Sequence, residues 1–298
     1  MKTVKALIKR HPLLSYFALV FVISWGGVFI VAGGPSGISP NSEPSEMQTT
    51  LLYPALIVGP SVAGILLTAL LFGREGFRDL GSRLLNWRVG ARWYAVALLT
   101  APLSVTSALL ALSLTSSEFV PSILTTTDKA SLLLIGIFAG LMVSIFEELG
   151  WTGFAIRRMR LRYGVLGTGL IVGLLWGAWH FPPFFWGSGV ASEALPLAIF
   201  LPVLLFTWLP AFRVLIVWVY DRTESLLVAM LMHVSLVASN AILVPLVTGV
   251  ALVTFDLVWA AVLWVVVGAV ALANGGHLSR QPLRGEWLEK VGSPYSRR

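Results

Sequence analysis

The sequence predicts an all-α polytopic membrane protein of about eight transmembrane helices, and three observations carry the prediction. Of 298 residues, 57% are hydrophobic and only 12% charged, about half the charged fraction of a soluble domain. The apolar residues fall into runs near the roughly 20 that a helix needs to cross a bilayer. Lysines and arginines gather in short clusters between alternate runs, which is how a membrane protein records its orientation.

The first run, 13–31, follows Lys2, Lys5, Lys9 and Arg10. It is longer than the apolar segment of a signal peptide and no small-x-small site follows it, so it is read as a retained helix. A loop rich in Gly, Pro, Ser and Glu at 34–50 leads to the second run, 51–72. Residues 74–92 then combine arginines with Phe77, Leu80, Leu84, Leu85 and Trp87 at roughly helical spacing, an amphipathic segment for the membrane surface. Runs near 93–114, 131–154, 166–185, 196–219, 225–247 and 251–273 complete the eight.

With residues 1–12 in the cytoplasm, all but two of the 21 lysines and arginines fall on the cytoplasmic side. The exceptions are Lys129, in an external loop, and Arg213, inside the sixth run. Both termini of this multi-pass protein are therefore expected on the cytoplasmic face of the cell membrane. No repeat or long linker divides the chain, so 1–298 reads as one membrane domain. Its tail, 274–298, holds Arg280, Arg284, Lys290, Arg297 and Arg298 and reads as polar and mobile.

The net charge of +7 points to anionic lipid and not to nucleic acid, because the basic residues flank apolar runs instead of covering one face. Cysteine is absent, which excludes disulfides, thiolate ligands and a cysteine nucleophile. Any metal would need histidine and carboxylate.

Chemistry centres on Ile145-Phe146-Glu147-Glu148-Leu149-Gly150-Trp151, near the end of the fourth run. A carboxylate inside a span costs about 2.5–3.5 kcal/mol on insertion scales, so the pair implies use. His11 and His277 lie in the polar ends, whereas His180 and His233 lie inside apolar runs. One intramembrane histidine is as readily an interhelical hydrogen bond as a site residue; two of them with Glu147 and Glu148, on three spans, favour a shared polar site. Because successive helical residues diverge by about 100°, one glutamate can face the site while the other braces a neighbour.

Such a set suits hydrolysis: a carboxylate takes a proton from water, and imidazole orients the water, ligates a metal or stabilises an oxyanion. Ser144 and Ser235 lie nearby without a serine–base spacing, and small hydroxyls pack between membrane helices. Glu147, His180 and His233 are also a candidate zinc set with an open position, although H-E-x-x-H is absent. Trp176 shares a helix face with His180 and either walls the site or packs in the core.

These residues carry a resemblance. Glu147-Glu148-Leu-Gly-Trp-Thr-Gly-Phe, then Trp176-x-x-x-His180, then His233 resemble, in order, the three motifs of the CAAX protease and bacteriocin-processing (CPBP, or Abi) family of intramembrane proteases. The likeness covers roughly 74–247. It implies a CAAX-protease-like helical bundle acting as an endopeptidase on a membrane-associated protein or peptide, a prenylated CAAX protein being the family's example. It further implies Glu147 as general base, His180 holding the water, His233 at the oxyanion and Glu148 in support. Family members have been described both as metalloproteases and as glutamate-dependent enzymes; no obligatory metal is expected here.

Two positions depart from the family pattern. Thr152 stands where arginine is usual, and Val237 where asparagine or aspartate follows the last histidine. Arg213 would be costly in its span unless paired with Glu147 or Glu148, or unless it snorkels to an interface. Asn240, two turns beyond His233, is a candidate for the missing amide, or else an ordinary helix-packing residue.

Depth sets a condition. Counted from the flanking charges, Glu147 and His233 lie about 14 Å and His180 about 27 Å from the cytoplasmic ends, so the three meet only if the fifth span starts late. Gly164, Gly167 and Gly169 allow that, and Pro182-Pro183 would end the helix beyond His180. A second reading, favoured by Thr152 and Val237, is a catalytically impaired immunity or scaffold protein of the same fold. A proton-coupled transporter ranks last, because no paired broken half-helices recur in two halves.

Overall fold

The computed structural model describes residues 2–279, and of residues 2–5 the backbone alone. The expected tail beyond Ser279 lies outside the described residues. The longer helices are α1 (Lys2–Arg10), α2 (Pro12–Val31), α3 (Glu46–Leu84), α4 (Ala91–Ser113), α5 (Lys129–Gly150), α6 (Val165–Trp179), α7 (Leu197–Phe206), α8 (Trp208–Thr223), α9 (Leu226–Leu243) and α10 (Gly249–Ala273). No strand occurs among the described residues.

Seven of these helical stretches are long and apolar enough to cross a membrane, with α7 and α8 counted as one span broken at Thr207. Eight rods follow the eight predicted runs, but the fifth is shorter than expected. With 15 residues, α6 rises only about 22 Å. Its start is fixed because the preceding arginine-rich turn is tied down by the buried Arg160–Asp221 ion pair. It stops at His180, since Pro182 and Pro183 cannot continue the ladder.

The second run also differs. A capping box between Ser45 and Gln48 starts α3 before residue 51, and the rod bends at Gly73, whose φ of 54° and ψ of −139° lie outside the helical region. Helix then continues over the amphipathic stretch only to Leu84. Asn86 leaves the ladder because its side chain donates to Thr223 O at 3.1 Å and its carbonyl accepts from Ser225 Oγ at 2.6 Å.

The basic clusters gather at one end of the bundle. There Arg83 and Arg157 both pair with Asp79, at 2.9 and 3.0 Å, Arg222 donates to Asn274 at 2.8 Å, and Val165 N donates to Ser279 Oγ at 2.7 Å. At the opposite end Gly187 N donates to Ser39 O at 2.9 Å and Ser122 Oγ to Val244 O at 3.0 Å.

Packing inverts the pattern of a soluble helix. On α5 the large side chains Leu134, Ile135 and Phe138 face outward, while Gly136, Gly140, Ser144, Glu147 and Glu148 are buried. Small residues bring backbones close where lipid supplies no hydrophobic drive between helices. A Cβ on Gly140 would stand 2.8 Å from Val234 O of α9, and one on Gly173 would stand 2.5 Å from Pro210 Cα of α8. These approaches place α5, α6, α8 and α9 near enough for their polar side chains to meet.

Candidate active site

Directly after Gly150 the helical ladder widens into a π-helical turn, Trp151–Ile156, before Arg157–Met159 completes the rod. Such insertions re-aim side chains and are frequent at functional sites. Two contacts hold it: Arg83 Nη2 donates to Gly153 O at 3.1 Å, and Gly150 packs so tightly on the Pro60 backbone and the Tyr16 hydroxyl that no side chain fits there.

Glu147 and Glu148 are both buried but reach different helices. Glu147 Oε2 accepts from the indole Nε1–H of Trp176, on α6, at 2.7 Å. Glu148 Oε1 accepts from Arg213 Nη1, on α8, at 2.6 Å, and from His233 Nδ1, on α9, at 2.8 Å. Its other oxygen accepts from the hydroxyl of Thr152. Glu148 is thus the hub that joins four helical segments, and Arg213 offsets the cost of its own burial by pairing there instead of snorkelling.

Trp176 is the second hub. Besides donating to Glu147, its ring lies edge-on to His180 at 5.5 Å and to His233 at 5.3 Å, with the guanidinium of Arg213 4.0 Å from its centre. Its carbonyl accepts from His180 Nδ1 at 2.8 Å. Since a carbonyl only accepts, the hydrogen bond assigns a proton to Nδ1, so that in the neutral imidazole the lone pair lies on Nε2 of His180. Likewise His233 directs Nδ1–H at a carboxylate, so its Nε2 carries a hydrogen only in the imidazolium form.

The depth condition resolves through the late start of α6. From Val165 to Trp176, and from Glu147 to Arg157, the helices rise about 15–17 Å, so indole and carboxylate lie level. His180 sits one turn further in and is half-buried, joined to Glu147 through Trp176 and by no direct hydrogen bond among the described contacts. Asn240 is not brought to this cluster by any described hydrogen bond; its amide donates to Leu236 O of its own helix at 3.1 Å.

Three further polar groups near the cluster are not singled out by the sequence motifs. Tyr16, from α2, is buried with its hydroxyl beside Gly150 and its ring stacked 5.1 Å from Phe154. Trp208 packs edge-on to Trp176 at 6.4 Å, and Asp256 is a buried carboxylate of α10. Asp256 was open to the same rule that exposed Glu147, an acid inside an apolar run. Tyr16 carries no such signal, since a tyrosine near a helix end reads as an interfacial anchor.

Among the described residues no three His, Asp or Glu side chains are grouped to hold a metal ion. Glu148, the carboxylate nearest His233, is already shared with a guanidinium, whose charge opposes a cation at the same place.

Residues 129–239 match the family described as "Type II CAAX prenyl endopeptidase Rce1-like". The matched segment runs from the start of α5 into α9 and contains Glu147, Glu148, Trp176, His180, Arg213 and His233. Over 232 residues the chain is 25% identical to the "CAAX prenyl protease 2" of Methanococcus maripaludis, covering 76% of this chain and 82% of that protein. Ordered motifs, a helical membrane architecture and these two likenesses make the chain similar to CAAX-protease-type intramembrane proteases.

Proposed function

We propose that the chain is a glutamate-dependent intramembrane endopeptidase that hydrolyses a peptide bond of a lipidated, membrane-associated protein or peptide, with no obligatory metal. The observation that carries this reading is the convergence of Glu147, His180 and His233 on one indole, Trp176. Trp176 holds one oxygen of Glu147, which leaves the other to take a proton from water. His180 presents its Nε2 lone pair as the acceptor that orients that water. His233, as an imidazolium paired to Glu148, donates Nε2–H to the oxygen of the substrate carbonyl.

The reaction then balances without another reactant. Water oxygen bonds to the carbonyl carbon as its proton passes to Glu147, and negative charge develops on the carbonyl oxygen. When the C–N bond breaks, the amine takes the proton from Glu147. Two carboxylates, one guanidinium and one imidazolium sum to zero charge, which suits a site away from bulk water.

By the positive-inside rule the basic end of the bundle faces the cytoplasm, in the cell membrane, with both termini on that side. Substrates arrive from there, and the arginines contact anionic lipid and not nucleic acid. A prenyl-cysteine peptide is the first substrate to test, given the names of the matched family and relative. The purified chain, reconstituted in liposomes, is expected to cleave a farnesylated C-terminal peptide and to keep its activity after dialysis against EDTA and 1,10-phenanthroline. Loss on chelation with recovery on adding zinc contradicts the metal-free mechanism. No cleavage of lipidated or unlipidated peptides favours a scaffold or immunity role.

A further inference from the structure

We propose that Arg213 is a catalytic residue, donating a hydrogen bond from its unpaired guanidinium edge to the substrate carbonyl oxygen as negative charge develops there. The inference rests on the peptidase reading above and adds a second donor to its oxyanion site. It starts from the hydrogen-bonding capacity of one side chain. Arg213 is fully buried, and only Nη1 is used, by Glu148; Nε and Nη2 meet no acceptor among the described residues.

Leaving a buried donor unsatisfied is costly, and more so when it is charged. The face of the Trp176 ring offsets part of that cost through the cation–π contact at 4.0 Å, but a ring face satisfies no in-plane N–H. A side chain needed only to neutralise Glu148 would be served by one contact. Arg213 instead keeps a polar edge beside Glu148, His233 and Trp176, the cluster to which the mechanism above assigns the reacting peptide.

The chemistry of the neighbours argues the same way. With Nδ1 committed to Glu148, His233 donates from Nε2 only when doubly protonated. A guanidinium donates at every working pH and in a fixed fork. The position four residues after His233, Val237, holds no polar group, so α9 offers no second donor there. Arg213 reaches the same region from α8. In the step itself Arg213 exchanges no proton: it gains a hydrogen bond as the carbonyl becomes an oxyanion and loses it when the C–N bond breaks.

The test compares wild type with Arg213→Lys, which keeps the positive charge beside Glu148 and removes the fork, in full-length protein in nanodiscs. Two affinities are measured directly: for the intact peptide, on a Glu147→Gln background, and for the matching phosphinate peptide, whose tetrahedral anion mimics the charged intermediate. Arg213→Lys is expected to weaken phosphinate binding by about 10²–10³-fold, to lower kcat by a similar factor, and to change intact-peptide affinity and KM less than about threefold. Equal loss of both affinities means that Arg213 only shapes the site, and unchanged phosphinate affinity means that it touches nothing that reacts; either result overturns the proposal. Should Arg213→Lys not fold, Arg213→Gln with added guanidinium gives the same readout, restored phosphinate binding being expected. If wild type cleaves nothing, the peptidase reading fails by itself, and the two affinities still decide whether Arg213 recognises a tetrahedral anion.

Discussion

At the scale of single residues, the two glutamates separate by what each holds. Glu147 is held by one neutral N–H, whereas Glu148 neutralises a buried guanidinium and anchors His233. Glu147→Gln is therefore expected to leave thermal unfolding of the detergent-solubilised protein nearly unchanged. Glu148→Leu, which strands the charge of Arg213, is expected to destabilise the fold by about 3–5 kcal/mol. Trp176→Phe keeps the ring that packs on both histidines and removes only the N–H. Its peptidase rate is expected to fall about tenfold to a hundredfold, the equivalent of one buried hydrogen bond to a charged group, with folding intact by circular dichroism. Both carboxylates and both histidines stood out in the sequence because each is costly or rare inside an apolar run, and Trp176 only because it shares a helix face with His180. The partners did not: which glutamate takes Arg213 depends on the crossing of α5 and α8, which no local spacing encodes.

Among the helices, the site exists because small residues let α5, α6, α8 and α9 approach. Gly173 faces Pro210 and Arg213 of α8, and Gly140 faces Val234 of α9. Gly140→Leu is expected to force α5 from α9 and so to pull Glu148 from His233. A marked fall in melting temperature together with loss of activity checks this; Gly268→Ala, at a position where nothing lies within 4 Å of an added Cβ, should change neither. The fifth run shows the limit of hydropathy. Its apolar residues continue through 181–185, yet the helix ends at His180 because prolines remove backbone donors, and it begins late because Arg160 is engaged by Asp221. A window average registers neither the missing donors nor an ion pair 61 positions away. Those two constraints set the depth of Trp176 and allow it to meet Glu147.

For the molecule as a whole, eight apolar runs and their alternating basic clusters were legible because lipid imposes length and charge bias directly on sequence. The chain's lack of cysteine makes its orientation simple to measure. Single cysteines at Ser279 and Ser82, near the basic end, are expected to react with a membrane-impermeant maleimide only from the cytoplasmic side, and cysteines at Ser116 and Thr126 only from the other. Labelling of both pairs from one side contradicts the topology. The central claim, that water is activated by Glu147 at a site inside the bundle, has a more direct test. Wild type and Glu147→Gln, reconstituted at equal amounts in liposomes and shown to melt alike, are incubated with a farnesylated peptide and the products identified by mass spectrometry. The account predicts one defined cleavage by wild type and a rate at least about 10³-fold lower for Glu147→Gln, the upper part of the range a positioned base contributes. Cleavage by Glu147→Gln at the wild-type rate contradicts it.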